Sequence, residues 1–145
     1  MIKNYTSSVP VSRSVQHIED RLVKHGAGKI VKEYDQDKKL AAICFTLMLN
    51  SREIPFKLPA RVQNVERMLR GSVRRLTSGT YERIAEQAER SAWKLVSDWV
   101  DIQISLIELQ QVEFLEVFLP YVYSPSDGST FFERLMGGNY KLLTE

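Results

Sequence analysis

Five arginines crowd one short stretch of the chain: Arg61, Arg67, Arg70, Arg74 and Arg75, with Glu66 the only acid between residues 60 and 76. A guanidinium group is planar and permanently charged, and its fork can hold two phosphate oxygens at once. Arg67, Arg70 and Arg74 recur at three- and four-residue steps, which predicts one shared helical face. Tyr81 and Arg83 follow closely. An exposed tyrosine beside arginines can stack on a base, and Tyr34 is a second candidate of that kind. The chemistry these residue types offer is grip on the phosphates of a nucleic acid, single-stranded DNA foremost. The competing expectation is that the same face is solvated and paired with the chain's own carboxylates.

Charge is unevenly spread. Residues 51–95 hold ten Lys/Arg against five acids, a net of +5, whereas residues 96–145 hold two against eight, a net of −6. The overall charge of +2 and pI near 8.7 hide this split. The clustering, and not the total, points to an anionic partner.

Catalytic patterns are weak. His17 and His25 are eight residues apart, too far for a metal-binding pair on one helix turn. The single cysteine, Cys44, lies in an apolar run and reads as a small core residue. Gly26-Ala27-Gly28 closes a helix instead of opening one, so it is no phosphate loop. Asp98, Asp101 and Glu108 could share a helix face, but such a stripe is ordinarily solvated or paired. The expectation is a protein that is not an enzyme and needs no cofactor and no metal.

The elements that must position the arginines follow from periodicity. A chain of 145 residues reads as a single domain, here of the α+β class, preceded by a loose arm over residues 1–11. Val15, Ile18 and Leu22 predict a helix over 12–25, capped by Ser12 or Ser14 and ended by Gly26. Lys29–Tyr34, Leu40–Leu49 and Glu53–Leu58 alternate as strands of an antiparallel meander, with turns at Asp35–Lys38 and Asn50-Ser51. Phe45 and Phe56 read as core. Pro55 cannot donate to a ladder, so the third strand is expected at an edge, or with the missing N–H of Pro55 facing outward. Val62, Val65, Leu69 and Val73 form the stripe of the basic helix, and Gly71 marks a kink or an early end. The longest element is predicted over 81–110, capped by Thr80, with Ile84, Ala88, Leu95, Trp99, Ile102 and Leu106 inward and Leu109 widening the stripe.

Residues 112–123 are almost wholly apolar. Phe114, Leu115 and Phe118 are expected to be buried, and Tyr121, Val122 and Tyr123 to supply a self-association contact, making a homodimer. Thr130 is placed to cap a short helix through Met136 that stops at Gly137-Gly138. The tail is expected to pack through Tyr140, Leu142 and Leu143. The N-terminus lacks an apolar leader, and no run of about 18 apolar residues reads as a membrane span. The expected setting is the cytoplasm of a host cell, without membrane contact.

Thr6-Ser7-Ser8-Val9-Pro10, Ile54-Pro55-Phe56-Lys57-Leu58-Pro59-Ala60, Ala92-Trp93-Lys94-Leu95, Asp98-Trp99-Val100, Phe118-Leu119-Pro120-Tyr121 and Lys141-Leu142-Leu143 span nearly the whole chain. In these segments it resembles a group of small uncharacterised proteins encoded by phages, prophages and other mobile elements. The resemblance implies a mobile-element origin and no activity, cofactor or catalytic residue. It adds an alternative function: an anti-defence inhibitor that docks on a host protein or nucleoprotein, or that sequesters a small nucleotide signal.

Overall fold

The computed structural model describes residues 2–75 and 77–144. Its order is helix α1 (Val11–Lys24), strands β1 (Lys29–Tyr34), β2 (Leu40–Leu49) and β3 (Arg52–Pro59), then helices α2 (Val62–Arg70), α3 (Ser78–Glu108), α4 (Phe114–Phe118) and α5 (Phe131–Gly137). Single 3-10 turns occupy Leu119–Tyr121 and Lys141–Leu143. The fold is α+β, as the periodicities predict. The chain divides into two compact units, Met1–Leu22 with Ala60–Ile102, and Val23–Pro59 with Gln103–Glu145.

The first unit is helical. Val15, Ile18 and Leu22 of α1 are buried at the expected spacing. α1 starts one residue early, because the Pro10 carbonyl accepts from both Arg13 and Ser14 N–H. Ser14 is therefore an interior residue of α1 and no cap, and its buried hydroxyl has no hydrogen-bond partner among the described residues. The buried stripe of α3 in this unit runs Ile84, Ala88, Ser91, Ala92, Trp93, Ser97 and Val100. Two serines within it break the apolar pattern, and Ile102, expected inward, is 56% exposed. The helix begins at Ser78, with Thr77 as its cap: Thr77 Oγ1 accepts from Thr80 N–H at 3.2 Å.

The N-terminal segment is not a loose arm. Ser91 Oγ donates to the Asn4 carbonyl at 2.6 Å, and Asn4 Nδ2 donates to Asp98 Oδ2 at 2.9 Å. The Ser7 carbonyl accepts from Gln87 Nε2 at 3.0 Å and from Arg90 Nε at 3.2 Å. Backbone carbonyls do most of this anchoring, so no side-chain pattern announces it. Near the other end of the unit, Asp101 Oδ1 pairs with Arg21 Nε at 2.9 Å, with His17 Nε2 at 3.4 Å.

The second unit is a three-stranded antiparallel sheet with a short helical layer. Its strand order is β1-β2-β3. Asn50 and Ser51 both adopt left-handed backbone, with φ of 55° and 65°, and join Leu49 to Arg52 in direct register. Two positive φ angles in a two-residue loop define the turn whose twist suits a hairpin. At the other hairpin, Asp35 Oδ1 accepts from the N–H groups of Asp37 and Lys39, and the register slips by one between Glu33 and Tyr34.

One sheet face carries Ile43, Phe45, Leu47, Phe56 and Leu58, all buried. Phe45 stacks on its cross-strand partner Phe56 at 5.1 Å, and Phe114 stacks on Phe118 at 4.2 Å. The two pairs meet edge to face, with Phe45 lying 6.2 Å from Phe114 and 6.1 Å from Phe118. Such geometry satisfies the ring quadrupoles and adds to area burial. Leu115 points away and is exposed, because a one-turn helix can turn only one side to the sheet.

β3 lies at a sheet edge, as Pro55 requires, and that edge is extended by Val122 and Tyr123. Val122 bridges to Phe56, and Tyr123 N–H donates to the Pro55 carbonyl at 3.1 Å. α5 follows Thr130 as expected. Thr130 Oγ1 accepts from Glu133 N–H, and Glu133 Oε1 accepts from Thr130 N–H. The tail residues Leu142 and Leu143 are each 68% exposed, so they do not join this core.

Candidate nucleic-acid interface

The basic segment leaves β3 through Pro59 and Ala60. Arg61 takes left-handed backbone, φ 52° and ψ 50°, just before the first turn of α2. A left-handed arginine costs about 1 kcal/mol or more, since its Cβ crowds the following carbonyl. α2 then runs only nine residues. It closes at Gly71, whose N–H donates to the Arg67 carbonyl, and Ser72 Oγ donates to the Leu69 carbonyl at 2.8 Å. These bonds satisfy the last carbonyls of the helix and stop it.

The predicted shared helical face is therefore shorter than expected. Arg67 and Arg70 lie on α2, whereas Arg74 and Arg75 lie beyond it in the connection to α3. Gly71 acts as an end and not a kink. All five arginines remain in the same compact unit, and all are exposed.

Their partners differ. Arg70 Nη2 holds Glu66 Oε1 at 2.6 Å, one helical turn back, and its guanidinium carbon lies 4.8 Å from the Tyr81 ring centre. Tyr81 is thus capped by a cation on one face. Arg83 Nη2 reaches Thr80 Oγ1 at 3.5 Å. Among the described residues, Arg61, Arg67, Arg74 and Arg75 have no ion pair and no side-chain hydrogen bond. Two acids of α3 in the same unit are occupied elsewhere. Asp98 holds Lys94 Nζ at 2.8 Å and Lys3 Nζ at 3.7 Å, and Asp101 holds Arg21 and His17. Burial alone would raise the Asp98 carboxyl, but the Lys94 and Asn4 hydrogen bonds and the two lysine charges outweigh it and hold it below the usual carboxylate range.

Beside the arginines, a cleft of about 400 Å³ opens between the end of α2 and the first turns of α3. Leu69, Val73 and Ile84 form its apolar wall, and Arg83, Glu86 and Gln87 its polar side. The periodicity assigns Leu69, Val73 and Ile84 to the core. Leu69, on α2, and Val73, beyond its end, are in fact only half-buried. In the sequence, the i,i+4 spacing suits a Glu86–Arg90 pair, whereas Arg90 bonds to Gln87 and to the Ser7 carbonyl.

The second unit holds a separate cavity of about 520 Å³ on the other sheet face, lined by Val31, Cys44, Thr46, Pro55, Tyr123 and Pro125 among others. Burial first, then the Glu33 charge, push the Cys44 thiol up to about 11, against the lowering effects of Tyr123 and Lys57. Glu33 in turn pairs with Lys57 at 3.0 Å. A thiol held protonated in this way is a poor nucleophile. Tyr121, Val122 and Tyr123 are half-buried, and the backbone of the last two extends β3 within the same chain. The backbone of Val122 and Tyr123 thus has an internal role, and the half-buried side chains are what the expected contact between copies would use. The more exposed apolar groups nearby are Leu109, Leu115 and Leu119.

Among the described residues, no group of three or more His, Cys, Asp or Glu is placed to hold a metal ion. Among the same residues, no helix is long and apolar enough to cross a membrane. Comparison of the chain with protein-family models, curated proteins and solved structures finds no match.

Proposed function

We propose that this chain is a non-catalytic binding protein of mobile-element origin that grips the phosphates of single-stranded nucleic acid around the end of α2. What supports the reading is the state of four guanidinium groups: Arg61, Arg67, Arg74 and Arg75 are exposed and carry no carboxylate of their own chain among the described residues. A paired arginine must break one contact to make another, whereas these four need only shed water and counterions. Their release of counterions on binding is the driving force for polyanion association.

The test is a gel-shift and anisotropy titration against single-stranded DNA at several salt concentrations. Arg67, Arg74 and Arg75 changed together to Ala should flatten the slope of log affinity against log salt by about 2, at about 0.7 for each single-strand phosphate no longer neutralised. Absence of binding to any nucleic acid at low salt rejects the proposal.

A second reading, an inhibitor docking on a basic host protein, draws on the second unit. There Leu109, Leu115 and Leu119 are exposed among Glu108, Glu113 and Glu116. Loss of partner capture on Leu115→Glu, with DNA binding intact or absent, would favour that reading.

A further inference from the structure

The cleft beside the arginines has a shape and a charge that phosphate binding does not use. Its volume of about 400 Å³ lies at the low end of the range for ligand pockets and suits one flat heterocycle. Leu69, Val73 and Ile84 give it an apolar wall against which a base can lie. Glu86 also lines the cleft and has no partner among the described residues, which disfavours a phosphate next to it. The other polar residues of the lining are engaged within the chain: Gln87 Nε2 donates to the Ser7 carbonyl and Ser91 Oγ, Arg90 donates to Gln87 Oε1 and the Ser7 carbonyl, Arg83 donates to Thr80 Oγ1, and Ser72 Oγ donates to the Leu69 carbonyl. Glu86 is thus the polar lining residue left without a partner among the described residues, and its carboxylate only accepts hydrogen bonds.

We infer that, within the nucleic-acid reading above, this cleft takes a single unstacked guanine whose N1–H and N2–H groups face Glu86. Guanine is the base that offers two adjacent donors on one edge, the match for the two oxygens of a carboxylate. Thymine offers one N–H flanked by two carbonyls, which the carboxylate repels. Adenine and cytosine each offer an amino group beside a bare ring nitrogen, an intermediate case. Arg83 lines the cleft, and Arg74 and Arg75 directly follow Val73 in the chain, so cations are available to the phosphates flanking a seated base.

The test is fluorescence anisotropy with two labelled probes: an oligothymidine strand, and the same strand with one central guanine. The intact protein should bind the guanine probe about tenfold more tightly, the discrimination typical of one bidentate contact. Glu86→Gln should abolish that difference while leaving oligothymidine binding unchanged or slightly tighter. Val73→Phe, which fills the cleft, should also erase it. Equal affinity of the intact protein for both probes overturns the inference and leaves the phosphate reading standing. A guanine preference that survives Glu86→Gln overturns the assignment of Glu86. Failure to bind either probe overturns both readings.

Discussion

The guanidinium carbon of Arg70 lies 4.8 Å from the centre of the Tyr81 ring while the same group holds Glu66 at 2.6 Å. Among the described residues, Arg70 is thus the one arginine of its cluster with an internal role, as a link from α2 to the start of α3. Arg74 has no such engagement among the described residues. Arg70→Ala should therefore weaken binding to single-stranded DNA about twofold or less, since its charge is already offset. Arg74→Ala should weaken it several-fold at low salt. Anisotropy titrations of the two variants side by side check the ranking. Tyr81→Leu should lower stability by about 0.5 kcal/mol, because the Arg70 cation no longer has a ring face to rest on.

Acid should loosen the anchoring of the N-terminal segment. The Asp98 carboxyl is held below the usual range by Lys94, Asn4 and Lys3 in spite of its partial burial. A carboxyl depressed in the folded state contributes stability that is full above the unfolded value of about 3.9 and fades as pH falls through the lower folded value. Asp98→Asn should accordingly be less stable than the parent near neutrality and should lose less of its remaining stability below about pH 4. Urea midpoints taken across the acid range measure this directly.

The hairpin between β2 and β3 stores backbone strain at one position. Asn visits left-handed backbone readily, but Ser51 at φ 65° does so at a cost. Ser51→Gly should stabilise the protein by about 1 kcal/mol, seen as a higher urea midpoint with an unchanged slope.

Cys44 should resist alkylation. Its thiol is buried at the sheet face and pushed up to about 11, so little thiolate exists at pH 8. Iodoacetamide should label it only in denaturant, with mass spectrometry showing one adduct on the unfolded chain and none on the folded one.

Where local chemistry decides, the residues announce the outcome. The three strands, the Asn50-Ser51 turn and the Thr130 cap each follow from a few adjacent side chains. The buried face of α3 is harder to read, because Ser91 and Ser97 sit in it and Ile102 does not. Side-chain hydrogen bonding lets Ser91 enter the interior at no penalty, and hydropathy has no view of that. The pinned N-terminus is invisible for a related reason, since the carbonyls of Asn4 and Ser7 are common to every residue type. For the candidate site, the arginine cluster is evident at once. Which of its members are occupied depends on Gly71 stopping α2 and on Glu66 and Tyr81 converging on Arg70. The cleft itself is lined by Leu69 and Val73, which flank the Gly71 stop and stay half-buried.

The two borders of the sheet are finished in different ways. Along β3, residues 122 and 123 occupy hydrogen-bonding positions that a stranger could otherwise use. Along β1 no further strand pairs among the described residues, and Lys29, Lys32 and Glu33 stud a strand of six residues. Another molecule laid there in register would bring like charges together. Crowded copies of this protein should therefore be slower to zip into ribbons along this border, although Lys29 and Glu33 already hold Glu53 and Lys57 within the sheet.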